Sequence, residues 1–405
     1  MSKIALTDEQ QSAVDRRSSS VLVSAAAGSG KTRVLTERLM SYVTDPVNPV
    51  DIDSFLVITY TRAAAAELRS RILEELSALS SAEPENRRLR RQNTLCYNAK
   101  IGTIHSFCTG ILRENCHKLS LSPDFRVGDE DSCAILKNRA LEKTLDAAYE
   151  SMDSTPGFAL LVDSVGAGQD DSRLAETVLE LHAKMQSHPY PAKWAKEQAD
   201  RLSCDHTEDI GNTDWGRELM SDAKQSVEYW TDRLNRVWQS ICENEEDNAP
   251  LILAYGDSIS ETLSQMRSLS MALDIGWDKA RSQLPIAFPR LGTLRNFPFE
   301  ETKEKLKSAR EGCKRAMLSI NTVFSASSGE LIRQIALTAP AMSALLDLTL
   351  DFDARYSAEK RRQNLLDFSD LEHFAVELLC DRETGSPTET ALETASRYTE
   401  IMVDE

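Results

Sequence analysis

The chain reads as an α/β protein, a parallel sheet with helices on both faces, interrupted by a long all-helical insertion. Three observations predict this. Apolar runs alternate with helical patterns over the first 125 residues, strand signals almost vanish from about 126 to 345, and an apolar run, Ile401-Met402-Val403, returns at the end. Parallel strands need crossover connections, so a βαβα rhythm implies helices covering the sheet. The expected division is a first part of the α/β domain over 1–125, an inserted helical domain over 126–345, and a second α/β part over 346–405.

In order, the pattern predicts a helix over 7–15, a strand at Val21–Val23, a helix over 31–43 on the spacing of Val34, Leu35 and Leu39, and a loop at Asp45-Pro46-Val47-Asn48-Pro49. A strand follows at Phe55–Thr59, then a helix over 63–79, a strand near Lys100–Thr103 and a helix over 105–117. After Ser122-Pro123-Asp124 the periodicity is helical, as in Leu174-Val178-Leu181 and Leu331-Ile332-Ile335-Ala336. Loops at 153–157 and 163–172 and Pro-containing segments at 188–191 and 285–298 break it.

The strand at 21–23 opens into Ser24-Ala25-Ala26-Ala27-Gly28-Ser29-Gly30-Lys31-Thr32. This matches the phosphate-loop pattern G-x-x-x-x-G-K-[ST], with Ala25 where the first glycine usually stands. Small residues let backbone N–H groups turn onto phosphate oxygens, Lys31 can reach the β/γ-phosphates, and the Thr32 hydroxyl can ligate Mg²⁺ at a helix N-terminus. The plain alternative is a small-residue turn between strand and helix. At the other end Asp404-Glu405 follows the apolar run, the expected look of an Asp that holds Mg²⁺ and a Glu that orients water. A domain rarely stops on such carboxylates, so the chain is expected to be the N-terminal piece of a longer polypeptide.

Charged residues make up 27% of the chain and aromatics 6%, an ordinary soluble composition. The net charge of −17 counts against nucleic-acid binding, but ten Arg/Lys face six Asp/Glu between Arg62 and Lys118. The run Arg87-Arg88-Leu89-Arg90-Arg91 is the densest part, and is either a solvated helix face or a contact surface. Eight cysteines show no C-x-x-C pair, as expected for reduced, mostly buried thiols. No membrane-spanning segment and no secretory h-region are expected, which points to the cytoplasm.

Taken in order, the blocks resemble the UvrD/Rep-like helicases of superfamily one. Leu6-Thr7-Asp8-Glu9-Gln10-Gln11 is similar to the Q-motif, Ile58-Thr59-Tyr60-Thr61-Arg62-Ala63 to motif Ia, Gly102-Thr103-Ile104-His105-Ser106-Phe107 to motif Ib, and Asp404-Glu405 to motif II. The resemblance implies a RecA-like P-loop NTPase domain using ATP and Mg²⁺. Gln10 would read the adenine edge and Arg33 pack near the base, while Tyr60, Thr61, Arg62, Thr103 and His105 would belong to a single-stranded DNA track. An exposed Tyr60 could stack on bases, yet Tyr60 could equally be core and His105 a helix-cap partner. Arg62-Ala63 departs from the Asn-Lys of many relatives.

Ser164-Val165-Gly166 through Leu174, Gln186 through Trp194, and Asp353 through His373 resemble more closely the AddA-type helicase-nuclease components of bacterial AddAB complexes. That resemblance implies an ATP-dependent DNA helicase acting on single- and double-stranded DNA with an AddB-like partner in double-strand break repair. It also implies that an arginine finger and a nuclease domain lie outside this chain, leaving it without DNA-stimulated turnover. The alternatives are a stand-alone UvrD/Rep-type repair helicase, which sequence beyond Glu405 would separate, and a non-catalytic nucleotide- or DNA-binding module, which DNA binding without ATP turnover would favour.

Overall fold

The computed structural model describes residues 5–17, 20–26, 28–165, 172–202, 207–295 and 297–404. In chain order its elements are α1 (Asp8–Asp15), α2 (Lys31–Val43), β1 (Phe55–Thr59), α3 (Arg62–Ala82), α4 (Arg87–Asn98), β2 (Lys100–Thr103), α5 (Ile104–Glu114), β3 (Arg126–Val127) and α6 (Glu130–Glu150). Seven further helices follow: α7 (Pro156–Val165), α8 (Ser172–Gln186), α9 (Pro191–Arg201), α10 (Asp214–Cys242), α11 (Glu245–Leu273), α12 (Trp277–Arg281) and α13 (Glu300–Val323). The last elements are α14 (Ser328–Arg362), β4 (Leu365–Leu366), α15 (Phe368–Leu379), α16 (Glu389–Ala395) and β5 (Glu400–Asp404). The protein is helix-rich with a small parallel sheet. Two compact units are formed by Met1–Asp146 with Glu180–Pro191 and Leu350–Glu405, and by Ala147–Leu179 with Ala192–Thr349.

In the first unit the sheet has the order β2-β1-β5, all parallel. The central strand β1 buries Phe55, Leu56 and Val57 because helices cover both of its faces. One face packs on Leu39 and Val43 of α2, Leu68, Ile72 and Leu76 of α3, and Met402 of β5; each such side chain contributes about 1.5–3 kcal/mol when fully buried. A second cluster joins Ile111 and Leu112 of α5 to Leu371, Ala375 and Leu378 of α15. Arg69 secures the sheet's outer strand. Its guanidinium donates to the carbonyls of Cys96 (2.7 Å), Ala99 (3.2 Å) and Ile101 (2.8 Å), tying α3 to the end of α4 and to β2.

Two expectations are corrected here. Val21–Val23 is not a strand: residues 20–26 join no sheet, and Leu22 is 94% exposed. The segment instead lines, with Thr399 and β5, a cleft of about 730 Å³. Three apolar residues followed by small ones offer few ladder bonds and little side chain to hold them against β5. Also, α14 is 35 residues long with an 18-residue window of mean hydropathy 1.4, so by length and composition one helix could cross a membrane. It carries Pro340, and 33% of that window is buried inside the protein.

The second unit is built on α10, α11 and α13, whose Val227, Leu234, Ile259, Met266, Leu306 and Cys313 share one core. Gly312 is required there, since a Cβ would stand 2.4 Å from the Trp230 ring.

Candidate functional site

The phosphate loop runs into α2 through two glycines in the left-handed region, Gly28 at φ +78° and Gly30 at φ +85°. Only glycine takes such values without strain, which is why the loop turns here. Gly30 caps α2 without a side chain, so the first N–H groups of the helix are left for an outside acceptor. Lys31 folds back over the loop, its Nζ donating to the carbonyls of Ala25 at 3.0 Å and Ala26 at 3.5 Å. An ammonium resting on loop carbonyls stands where a phosphate oxygen could replace them.

Thr32 Oγ1 donates to Asp404 Oδ2 at 3.1 Å across a separation of 372 residues. The hydroxyl and carboxylate that the sequence marked for one Mg²⁺ therefore meet. Gln10 is held by both ends of its amide: Oε1 accepts from Thr7 N in a capping box, and Nε2 donates to Ser29 O at 3.0 Å, steadying the loop. Arg33 faces Glu37 at 4.0 Å. Ser24 opens the loop in irregular backbone, while Ala27 and Glu405 fall outside the described residues.

The sheet aligns the remaining candidates. Thr59 pairs with Thr103 of β2 on one side and Asp404 of β5 on the other, so three strands end together at their carboxyl edge. Open parallel sheets bind ligands at that edge. Tyr60 follows β1 directly and is 83% exposed, so it is not a core residue. Thr61 caps α3 by accepting from Ala64 N, and Arg62 opens that helix. Thr103 caps α5 in the same way, and His105 is not the cap. Its Nε2 lies 3.0 Å from Glu372 Oε1, and its ring sits 4.5 Å from that of Phe368. Arg62 and Thr103 line one groove of about 550 Å³ that also receives Arg69, Ser106 and Arg113.

Sequence reasoning missed the lock beneath this site. Arg38 of α2 binds Glu400 of β5 through two bonds, Nε to Oε1 at 2.5 Å and a terminal nitrogen to Oε2 at 3.1 Å. It also donates to the carbonyls of Ala13 and Arg16, each at 2.6 Å. The Tyr42 hydroxyl donates to Glu400, and Arg17 lies 3.7 Å over the Tyr42 ring. Burial, then the Glu400 hydrogen bond, raises the Tyr42 pKa above its ordinary value. This lock holds α2, which carries Thr32, against β5, which carries Asp404. A second ion cluster fixes α15: Lys360 reaches Asp367 at 2.9 Å and Asp370 at 2.6 Å, and Tyr356 donates to Asp367 at 2.9 Å. The buried thiols are held protonated, with Cys108 and Cys313 each pushed up to about 11, chiefly by burial.

The model of the UvrD/REP helicase N-terminal domain matches residues 6–405. The chain is 35% identical over 408 residues to an ATP-dependent helicase/nuclease subunit of Clostridium novyi, an alignment covering 100% of this chain and 32% of the relative. It is 35% identical over 406 residues to the like-named protein of Desulforamulus reducens, covering 98% of this chain and 32% of that one. With the protein of the same name from Clostridioides difficile it shares 31% identity over 417 residues. The chain thus spans about a third of the length of the curated relatives it matches. With a glycine-cornered loop leading into α2, a Thr–Asp pair beside it and a family match along almost all of its length, the chain belongs to the UvrD/REP helicase N-terminal domain family.

Proposed function

We propose that this chain is the ATP- and single-strand-binding part of an ATP-dependent DNA helicase of the AddA type. It would act in double-strand break repair and recombination with an AddB-like partner. The observation that carries the reading is the common carboxyl edge of Thr59, Thr103 and Asp404, which sets the β5 carboxylate bonded to Thr32 beside the aromatic and hydroxyl ends of the neighbouring strands. Movement at one could therefore be felt at the other.

Mg²⁺–ATP, when bound, supplies a phosphoanhydride bond whose cleavage releases free energy. Lys31 would exchange the carbonyls of Ala25 and Ala26 for phosphate oxygens and stabilise their charge, while Thr32 and Asp404 would hold the cation. Glu405 would orient the attacking water, with Gln10 and Arg33 on the adenine side. Beyond these two bonds the Gln10 amide keeps a second N–H donor and a second acceptor lone pair, which would read the adenine edge. Tyr60 would stack on bases, with Thr61, Arg62, Thr103 and His105 beside it. The helical residues near 126–345 would form an accessory domain inserted into the ATPase domain of 1–125 and 346–405.

A steady-state ATPase assay of the complete protein, with and without single-stranded DNA, tests this. Turnover should rise with DNA and vanish in Lys31→Ala; turnover indifferent to both would overturn the reading.

A further inference from the structure

We propose that the exposed face of α4 is a docking surface for the phosphate backbone of duplex DNA, distinct from residues 60–62 and 103–105. The proposal deepens the helicase reading and rests on it. The helix buries Leu89, Gln92 and Cys96 on one side. On the other side Arg87, Arg90, Arg91, Thr94, Tyr97 and Asn98 are all exposed, and their three- and four-residue spacing gathers them into one stripe.

Only part of the charge on that stripe is answered within the protein, by Asp51 at Arg91. Several exposed basic side chains on other helices meet an acid one turn away, as Arg71 meets Glu67, Lys305 meets Glu301 and Arg355 meets Asp351. Helix α4 contains four arginines and no acidic residue at all, in a chain of net charge −17. Arg88 is spent on the fold, donating to the carbonyls of Val43 and Val50. Arg91 has Asp51 at 3.5 Å. Arg87 and Arg90 make no ion pair among the described residues, and Glu83, just upstream, accepts from Asn86.

The geometry favours a duplex. Arg87 to Tyr97 rises about 15 Å along the helix, roughly four steps of 3.4 Å along one strand of double-stranded DNA. The guanidinium forks of Arg87, Arg90 and Arg91 occupy about the first 6 Å of that rise, and Thr94, Tyr97 and Asn98 continue the line as neutral donors, a convex row that suits a stiff line of phosphates. A single strand instead needs a groove with successive aromatic platforms, and Tyr97 is the one aromatic residue on this stripe. Helix α4 leads into β2 at Lys100, and Asn98 at its end lines a pocket of about 300 Å³ with Lys100, Thr103 and Ser106, so the stripe runs from the arginines toward the carboxyl edge.

The test measures binding of the 405-residue chain to a labelled duplex and to a single strand of equal length across a salt series. In Arg87→Gln/Arg90→Gln the duplex slope of log K against log salt should become shallower by roughly 2, with affinity roughly tenfold lower at low salt. Single-strand binding and melting temperature should stay unchanged, and Arg87→Lys/Arg90→Lys should keep the slope. An unchanged duplex slope overturns the proposal, including when the Gln variant loses binding to polyglutamate, which would assign the face to an acidic protein. Equal losses on duplex and single strand overturn the duplex assignment. A parent chain that binds single strand but not duplex sinks this inference alone, whereas one that binds neither sinks the helicase reading too.

Discussion

Glu400→Ala should destabilise the sheet-bearing unit by about 3–5 kcal/mol, because it strands a buried cation. The Arg38 side chain is 10% exposed and that of Glu400 20%. Once the carboxylate is gone, the guanidinium keeps the neutral carbonyls of Ala13, Val14 and Arg16 and the Tyr42 ring but no counter-charge, and the Tyr42 hydroxyl loses its acceptor. For a unit of roughly 200 residues, each kcal/mol moves the melting temperature by about 2–4 °C, so the transition should fall by roughly 6–20 °C. The same loss should loosen β5 and weaken Mg²⁺–ATP binding, since Asp404 ends that strand. Thermal melts by circular dichroism and urea titrations read the first effect. Replacing both charges, as Arg38→Met/Glu400→Leu, should restore most of the stability, because an apolar pair needs no compensation. A Glu400→Ala variant within about 1 kcal/mol of the parent would refute the idea that this pair locks α2 to β5.

Tyr60→Ala should weaken single-stranded DNA binding by about 1–3 kcal/mol with little sequence preference and leave the melting temperature alone, since the ring is 83% exposed; an early melt with normal binding would contradict this. The Lys360 cluster makes a pH prediction. Burial pushes Asp367 up, but Lys360 and the hydrogen bonds around it outweigh this and leave its pKa lowered; Asp370 is raised, chiefly by burial, against Lys360. Asp367 therefore contributes stability present above the unfolded carboxylate value of about 3.9 and lost as pH falls through its lower folded value. Asp370 acts with the opposite sign, its contribution being lost as pH rises through its folded value. Asp370→Asn removes that opposing slope, so urea titrations on the acid limb should show stability falling more steeply with acid than in the parent. An equal or shallower slope would count against the assignment.

Local chemistry made much of the fold and site legible. Gly28, Gly30, Lys31 and Thr32 announce their loop, because left-handed turns, a cation and a hydroxyl at a helix start form a contiguous pattern. β1 and β5 were legible as short apolar runs, β2 by its place in the alternation of strands and helices, and α2 was found with its ends correct. The strand at 21–23 was misread because an apolar tripeptide does not reveal whether a neighbour's edge will pair with it. Helix α4 was seen only as charge: its buried face is three residues, Leu89, Gln92 and Cys96, of which one is polar. Gln92 is buried because its amide accepts from Ile52 N and donates to Asp51, a role no periodicity signals. Arg38–Glu400 joins residues 362 apart, and His105–Glu372 residues 267 apart. Such pairs arise from the sheet's register and the packing of α15 on α5, and nothing at either position marks its partner.

The most direct test of the central claim is titration of the chain with a fluorescent ATP analogue, with and without Mg²⁺, in the parent and in Lys31→Ala. Lys31 reaches only loop carbonyls, so its loss should leave the melting temperature unchanged while abolishing Mg²⁺-dependent nucleotide binding. Lys31→Ala binding the nucleotide as tightly as the parent would mean that the loop from Ser24 to Thr32 is a turn and not a phosphate cradle.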